Sequence, residues 1–338
     1  MTSTTQLIQL LLVFGGESSE HAVSIESARN VYKALDKQKY QVHLVYITPE
    51  GKWLLVHGID DTRGDEIRVV MGEKKLLTSA GDALAIDVMF PVLHGKNGED
   101  GTVQGMAKLL HLPCVGPGLI GAAVAMDKDI TKRLLRDGGV PVVNWVTWHS
   151  NDPMPVYSEV AAKLQSAVLF VKPANAGSSV GVSKVHDHQQ FGAALHIAAQ
   201  HDSFVLIEPA VEAREIEVAV LGSEAPQVST PGEVIPGDEF YSYDDKYTSR
   251  STATTYIPAE LDGELAKRIQ AHARQAYLLT RGRGMARVDF FVTATGEVYL
   301  NEINSIPGFT NISMYPKLWE YDGVDYGTLL DYLITDAR

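Results

Sequence analysis

The sequence predicts an α/β protein that turns α+β toward its C-terminus, with a parallel sheet in its first third. Three observations predict this class. The apolar run Leu10–Phe14 ends at Gly15-Gly16 and is followed by a helical stripe, as for a strand buried on both faces that feeds a crossover helix. Beyond residue 168 strand patterns dominate, with one helical stretch among them. The 338 residues are 45% hydrophobic and 21% charged, ordinary globular usage that suggests two or three compact units at roughly 100–200 residues each.

Taken in order, Ser18 or Ser19 is placed to cap the first helix. Val23, Ser27, Val31 and Leu35 recur at helical spacing with Ala28 and Tyr32 beside them, and Val42, Leu44 and Tyr46 then alternate as a strand. That is one βαβ unit. A buried strand over Val88–Leu93 ends at His94-Gly95, and a helix follows over Thr102–Leu110. Ile130, Leu134 and Leu135 make a second helical stripe that Gly138-Gly139 can end, with Pro141 just beyond. Strands are expected over 168–172, 180–185, 204–207 and 216–221, with a helix over 189–200. Residues 231–258 are rich in Pro, Gly, Ser, Thr and Tyr, lack periodicity, and read as a long loop of the kind that serves as a lid. A helix over 260–280, two strands and a C-terminal helix complete the chain.

Lys and Arg number 29 against 42 Asp and Glu, a net charge of −13, which argues against a sequence-independent nucleic-acid binder. It does not argue against a small anion, because a few lysines or metal ions can reverse the sign locally. The single cysteine, Cys114, excludes an internal disulfide and a cysteine-rich zinc site. The N-terminal apolar stretch is too short to span a bilayer and has no basic residue before it, so a soluble cytoplasmic protein is expected, with no membrane partner.

Two motif matches are decoys. Gly116-Pro117-Gly118-Leu119-Ile120-Gly121 satisfies GxGxxG, but the strand before it is short and carries a proline, so close helix packing is the simpler reading. Gly177-Ser178-Ser179-Val180-Gly181 satisfies GxSxG, but a strand pattern follows where a nucleophile elbow needs a helix. The same glycine-bearing stretch, next to Lys172 at a strand end, reads either as a backbone cradle for phosphate or as an ordinary surface turn.

The strongest constellation lies near the C-terminus. Arg287, Asp289 and Phe291 share one face of a strand, and Glu302 and Asn304 share a face of the next. A hairpin centred on Thr295-Gly296 sets Asp289 opposite Glu302 and Arg287 opposite Asn304. Like charges opposed at ~5 Å destabilise a sheet, and a divalent cation with these hard oxygen ligands removes that penalty. The alternative is a salt bridge from Arg287 to one acid on a solvated face. An all-oxygen metal site beside an arginine points to phosphoryl transfer. Taken singly, Glu208 and Glu215 are strand-end acids, Lys128 is a helix-surface charge, and Glu20 sits in a first helical turn. His94 suits a ligand contact and a structural hydrogen bond equally well.

Together the segments FGGESSEHAVS, HGKNGEDGTVQG, MDKDITKRLL, KPANAGSSVGVSKV, FYSYDDKY, GMARVDF, NEINSIPGFT and NISMYPKLW resemble D-alanine–D-alanine ligases of the ATP-grasp superfamily, from about Val13 to Trp319. The resemblance implies a three-domain ATP-grasp architecture: a Rossmann-like N-terminal domain at 1–127, a central lobe at 128–212 and a C-terminal lobe at 213–338 with lid loop and metal site. It implies ATP-dependent joining of two D-alanines through a D-alanyl phosphate, in a homodimer. Lys128, Lys172 and Lys246 then serve ATP, with Glu208 and Glu215 at the adenine and ribose end. Asp289, Glu302 and Asn304 hold two Mg²⁺ ions, for which Mn²⁺ can substitute, and Arg287 meets the transferred phosphoryl group. Glu20, Ser178 and Tyr247 form the set that holds the first D-alanine, and His94, Gly308, Ser313 and Met314 line the dipeptide pocket. Three departures stand out: Ser305 where many members have Thr, Ser242 where the lid loop often has an acid, and the basic stretch Arg281-Gly282-Arg283-Gly284. Relatives that make D-alanyl-D-lactate typically carry a histidine in a different lid loop, so Tyr247 favours an amine nucleophile.

Overall fold

The computed structural model describes residues 6–235 and 253–338. Ser242, Lys246 and Tyr247 lie outside the described residues. The first sheet is built on β1 (Ile8–Gly15), which pairs in parallel with β2 (Tyr40–Ile47) and β8 (Val88–Val92). Leu10, Leu12 and Phe14 face one core and Leu11 and Val13 another, which is why the run is apolar without alternation. The parallel core of the sheet is the one expected. β3 (Trp53–Val56) and β4 (Asp65–Glu66) extend it antiparallel beyond β2. A small separate sheet of β5 (Arg68–Val69), β6 (Lys75–Leu77) and β7 (Ala83–Ala85) also escaped the sequence pattern, its strands being too short to show a period.

Helix α1 (His21–Ala34) buries the expected stripe, but neither serine caps it. Glu20 stands at the cap position, while the Ser18 hydroxyl accepts from the Glu20 amide at 3.1 Å and donates to the His94 carbonyl at 2.6 Å. After α2 (Thr102–Leu109), α3 (Leu119–Met126) packs so closely that a Cβ on Gly121 would lie 2.7 Å from the Arg281 carbonyl oxygen. That is the packing reading of the GxGxxG match. Helix α4 (Lys128–Asp137) is capped by Asp127, whose side chain accepts from the Ile130 amide. It buries Thr131, Lys132 and Leu135; of the expected stripe Leu134 is half-buried and Ile130 is exposed, the buried face including Lys132 in its place.

The second sheet is antiparallel, with β9 (Val146–His149), β12 (Phe204–Pro209), β10 (Leu169–Pro173) and β11 (Ser183–Val185) as neighbours, backed by α5 (Tyr157–Leu164) and α6 (His188–Ala199). Val171, Val205 and Ile207 point into its core. The alternate positions, Phe170, Lys172 and Glu208, border a cleft on the other face.

The third sheet centres on β13 (Arg214–Leu221), flanked by β15 (Gly232–Ile235) and β17 (Met285–Val292). β14 (Gln227–Val228) pairs with β13, β16 (Thr254–Tyr256) with β15, and β18 (Val298–Asn304) with β17. The segment read as loop over 231–258 thus begins and ends in strands. Helix α7 (Gly263–Leu279) covers this sheet, and α8 (Met314–Tyr321) and α9 (Tyr326–Ala337) turn back to the first sheet. One core therefore joins Leu12 and Phe90 of the first sheet to Tyr315, Leu330 and Ile334 of the C-terminal helices. Among the described residues no helix is long and apolar enough to cross a membrane.

Candidate active site

The cleft occupies about 760 Å³ and takes its walls from the second and third sheets. Lys128, Lys172, Ser178, Glu208, Glu215 and Glu302 all border it. Its far end is apolar, with Val143, Val168, Phe170, Pro209 and Val211 around Glu208. Such a shape, apolar walls with a few convergent charges, suits a planar base joined to a polyanion.

A row of acids crosses the third sheet, and its last member, Glu302, borders the cleft. β13 pairs with β17 so that Glu217 faces Asp289, and β17 pairs with β18 so that Asp289 faces Glu302. Arg287 faces Asn304, as expected. The route to that pairing differs from the expected one. Val292 pairs with Val298, which centres the turn on Thr295, and an undisturbed ladder from there would set Asp289 against Asn301. A bulge between Asp289 and Phe290, at which Phe290 pairs with Leu300, restores the opposition of Asp289 and Glu302 and leaves Asn301 as an extra residue on the cleft wall.

Protein cations already answer the repulsion in this row. Arg287 donates to both oxygens of Asp289, Nε to Oδ1 and Nη2 to Oδ2, each at 2.8 Å, and its Nε lies 3.1 Å from Glu217 Oε2. Lys128 Nζ lies 3.9 Å from Glu302 Oε2 and donates to the Ala176 carbonyl at 2.6 Å. The salt-bridge alternative is therefore present too, on a largely buried face and not a solvated one. Among the described residues no group of three His, Cys, Asp or Glu could hold a metal ion by itself. The set is two carboxylates and an amide. Asn304 Nδ2 donates to Asp289 Oδ2 at 2.9 Å, which leaves its carbonyl oxygen as the donor atom available to a cation.

Glu20 is 5% exposed and enters from the N-terminus of α1. Its Oε1 accepts from the Ser178 hydroxyl, and its Oε2 would lie 2.4 Å from a Cβ on Gly95 and 2.9 Å from one on Gly177. Both glycines are thus required for the acid and the loop to meet. Ser178 and Ser179 have φ of +50° and +59°, a left-handed turn with no helix after it, so the strand–turn–helix of a nucleophile elbow is absent.

Four residues expected around a dipeptide do not border the cleft. His94 is 3% exposed, its Nδ1–H donating to the Ile306 carbonyl at 3.1 Å and its Nε2 lying 3.1 Å from Ser27 Oγ. Burial pushes its pKa down, which fits a neutral ring serving as a bracket between α1 and the segment after β18. Ser313 Oγ accepts from the Thr310 amide at 3.0 Å, and Gly308 lets the chain approach it, since a Cβ there would come within 2.6 Å. Met314 is a core residue against Gly232.

Sequence reasoning missed three site residues. Glu99 accepts from the Gly95 and Ile306 amides at 2.8 and 3.1 Å; burial and the Glu20 charge push its carboxyl up to about 8. It lay inside a quoted motif but followed no strand. Glu217 shares a strand face with Glu215, a period-2 signal that was available. Lys132 is buried beside Glu208, and a lysine on an apolar helical face was the signal there.

Two family models match the chain, "D-ala D-ala ligase N-terminus" over residues 9–117 and "D-ala D-ala ligase C-terminus" over residues 134–335. The chain belongs to the D-alanine–D-alanine ligase family. It is 45% identical to the D-alanine–D-alanine ligase of Sodalis glossinidius, over 98% of this chain and 95% of that one. The D-alanine–D-alanine ligase structure from Coxiella burnetii superposes with a TM-score of 0.87 at 38% identity, covering 98% of this chain and 95% of that one. The VanG D-Ala:D-Ser ligase from Enterococcus faecalis gives 0.88 at 34% identity, covering 98% and 100%. The fold is accordingly that of the ATP-grasp ligases.

In this ligase family member Glu208 anchors the apolar end of the cleft. Burial pushes its carboxyl up, but Lys132 and Lys172 outweigh burial and hold it down at about 2. A carboxyl lowered from 4.5 to about 2 contributes stability that is fully present above its unfolded value and lost as pH falls toward 2. Glu208→Gln is therefore expected to be less stable than the unmodified protein by on the order of 3 kcal/mol at pH 7, from about 1.4 kcal/mol per unit. The gap should narrow as pH falls from 5 toward 3, read as the difference between two melting temperatures. A gap independent of pH would show that the carboxylate charge contributes nothing.

Proposed function

We propose that the chain joins two D-alanine molecules into D-alanyl-D-alanine, a peptidoglycan precursor, while converting ATP to ADP and phosphate. The contact of Glu20 with Ser178 beside the Lys128–Glu302 pair carries the reading, because it sets an ammonium-binding acid next to a phosphate-binding end. In this reading Glu20 holds the ammonium of the first D-alanine and Ser178 orients Glu20. The substrate carboxylate attacks the terminal phosphoryl group, ADP leaves, and an acyl phosphate forms. The amine of the second D-alanine attacks the acyl carbon, loses a proton, and phosphate departs.

Lys128, Lys172 and Arg287 supply positive charge to the phosphates, and Arg287 is oriented for it by Glu217 and Asp289. Asp289, Glu302 and Asn304 offer the hard oxygen donors that would hold two Mg²⁺ ions, or Mn²⁺ in their place; bound there, the metal neutralises phosphate charge. Lys246 and Tyr247 belong to the lid in this reading, which excludes water from the acyl phosphate. His94, Gly308, Ser313 and Met314 shape the dipeptide pocket through the backbone they hold in place. The division into 1–127, 128–212 and 213–338, a homodimeric assembly and a cytoplasmic location complete the proposal.

Likeness to a D-Ala:D-Ser ligase supports a second reading, in which the second substrate is another D-amino or D-hydroxy acid. Incubation with ATP, Mg²⁺ and D-alanine, alone or with equal D-serine or D-lactate, followed by mass identification of products, decides between them. D-alanyl-D-alanine is expected to dominate in every mixture. A dominant mixed product would overturn the assignment.

A further inference from the structure

Glu208 has two lysine partners that are not equivalent. Lys172 Nζ holds Oε2 at 2.7 Å from the cleft wall, with 12% of its side chain exposed. Lys132 Nζ holds Oε1 at 2.5 Å from behind, is 3% exposed, and does not border the cleft. Lys132 sits one turn beyond Lys128 on α4, with its ammonium 5.4 Å from the centre of the Trp145 ring. Trp145 is itself fixed, its indole N–H donating to Asp129 Oδ1 at 2.7 Å. Glu208 is the one hydrogen-bond partner of Lys132 among the described residues.

A buried ammonium is expensive, and an apolar side chain of similar volume often fills such a site at no loss of stability. Packing alone therefore does not account for a lysine here. Its effect falls on the carboxylate in front of it. A triphosphate bound at the Lys128 end attracts the neighbouring Lys172, which weakens the hold on Oε2. Lys132 has no path to the phosphates and stays with Oε1. An ionised carboxylate is acceptor-only, whereas a protonated one also donates. At the apolar end of the cleft that difference separates a base edge that carries an amino group from one that carries a carbonyl oxygen.

We propose that Lys132 is a positioning residue for nucleotide selection, holding Glu208 ionised and in a fixed orientation so that the cleft takes a purine with an exocyclic 6-amino donor and rejects its 6-oxo counterpart. The inference rests on the reading of the cleft as the ATP site. Glu208 makes the contact with the base, and Lys132 acts only through Glu208.

The test compares ATP with inosine triphosphate, which replaces the 6-amino group by an oxygen, in D-alanine-dependent ADP release. The unmodified protein is expected to prefer ATP by about 100-fold or more in kcat/KM, as buried donor–acceptor matching does elsewhere. Lys132→Met should raise KM for ATP about tenfold, lower kcat less than about threefold, and shrink the ATP preference about tenfold, because Glu208 can then protonate and donate. Lys132→Arg should restore the preference. A folded Lys132→Met protein with the full ATP preference would overturn the proposal, as would a fall in kcat alone. Should Lys132→Met fail to fold, Lys132→Gln takes its place: it can still donate to Glu208 Oε1 but carries no charge, and its ATP preference should shrink likewise, a full preference overturning the proposal. An unmodified protein that releases no ADP with D-alanine would overturn the ligase reading instead; calorimetric binding of the two triphosphates to the same variants then still tests the role of Lys132.

Discussion

Glu302→Gln is expected to lower ADP release by about 100- to 1,000-fold, the usual loss when one charge-stabilising group is removed from a transfer site. The fold should survive it. The Glu302 side chain is 22% exposed and its ion pair with Lys128 spans 3.9 Å, so the pair contributes no more than about 1 kcal/mol. For a protein of this size that is a shift of about 1–3 °C in melting temperature. The measurement is steady-state ADP release with D-alanine alongside a thermal melt, at several Mg²⁺ concentrations. Gln keeps an amide oxygen but loses the negative charge, so a metal role predicts partial recovery as Mg²⁺ rises. A variant within tenfold of full activity at low Mg²⁺ would refute the assignment of Glu302.

Arg287→Met should damage both stability and turnover. The guanidinium pairs with both Glu217 and Asp289, acids that stand opposite each other on adjacent strands. Removing it leaves two largely buried carboxylates facing one another, for which about 3–5 kcal/mol of destabilisation is expected. Arg287→Lys should recover little, because one ammonium cannot donate to two oxygens of Asp289 and also reach Glu217. Turnover should fall by about 100-fold or more even at temperatures where the variant is folded. Because the acids would then lack their cation, millimolar Mg²⁺ should raise the melting temperature of Arg287→Met more than that of the unmodified protein. Equal shifts in the two proteins would show that Asp289 and Glu302 hold no metal ion, whatever the activity.

The two variants also bear on why the site was only partly legible in the sequence. Side-chain parity along a strand is local, so Arg287 with Asp289, and Glu302 with Asn304, were readable as pairs on one face. Cross-strand opposition depended on a bulge at Asn301 that no composition signal announces. Strand parity singled out Glu302, the resemblance to a known family added Lys128, Lys172 and Glu208 to it, and all four border one cleft. The resemblance did not mark Lys132, which pairs with Glu208, nor Glu217, which pairs with Arg287. For His94, local reasoning left ligand contact and structural bond equally open, and burial against Ser27 and Ile306 favours the bond.

By itself the sequence determined the elements. Leu10–Phe14 is a two-sided strand, the Val23–Leu35 stripe a helix, and Gly177–Gly181 a turn, because each depends on spacing within a few residues. Only the tertiary structure decided which charges meet. Glu20 reaches Ser178 across 158 positions and His94 reaches Ile306 across 212. An ion pair or hydrogen bond acts over a few ångströms between groups of any sequence separation, and periodicity carries no record of it. Only the tertiary structure showed that α8 and α9 return to share a core with the first sheet. The net charge of −13 set no limit on an anion site, since Lys128 and Lys172 border one cleft from two different elements.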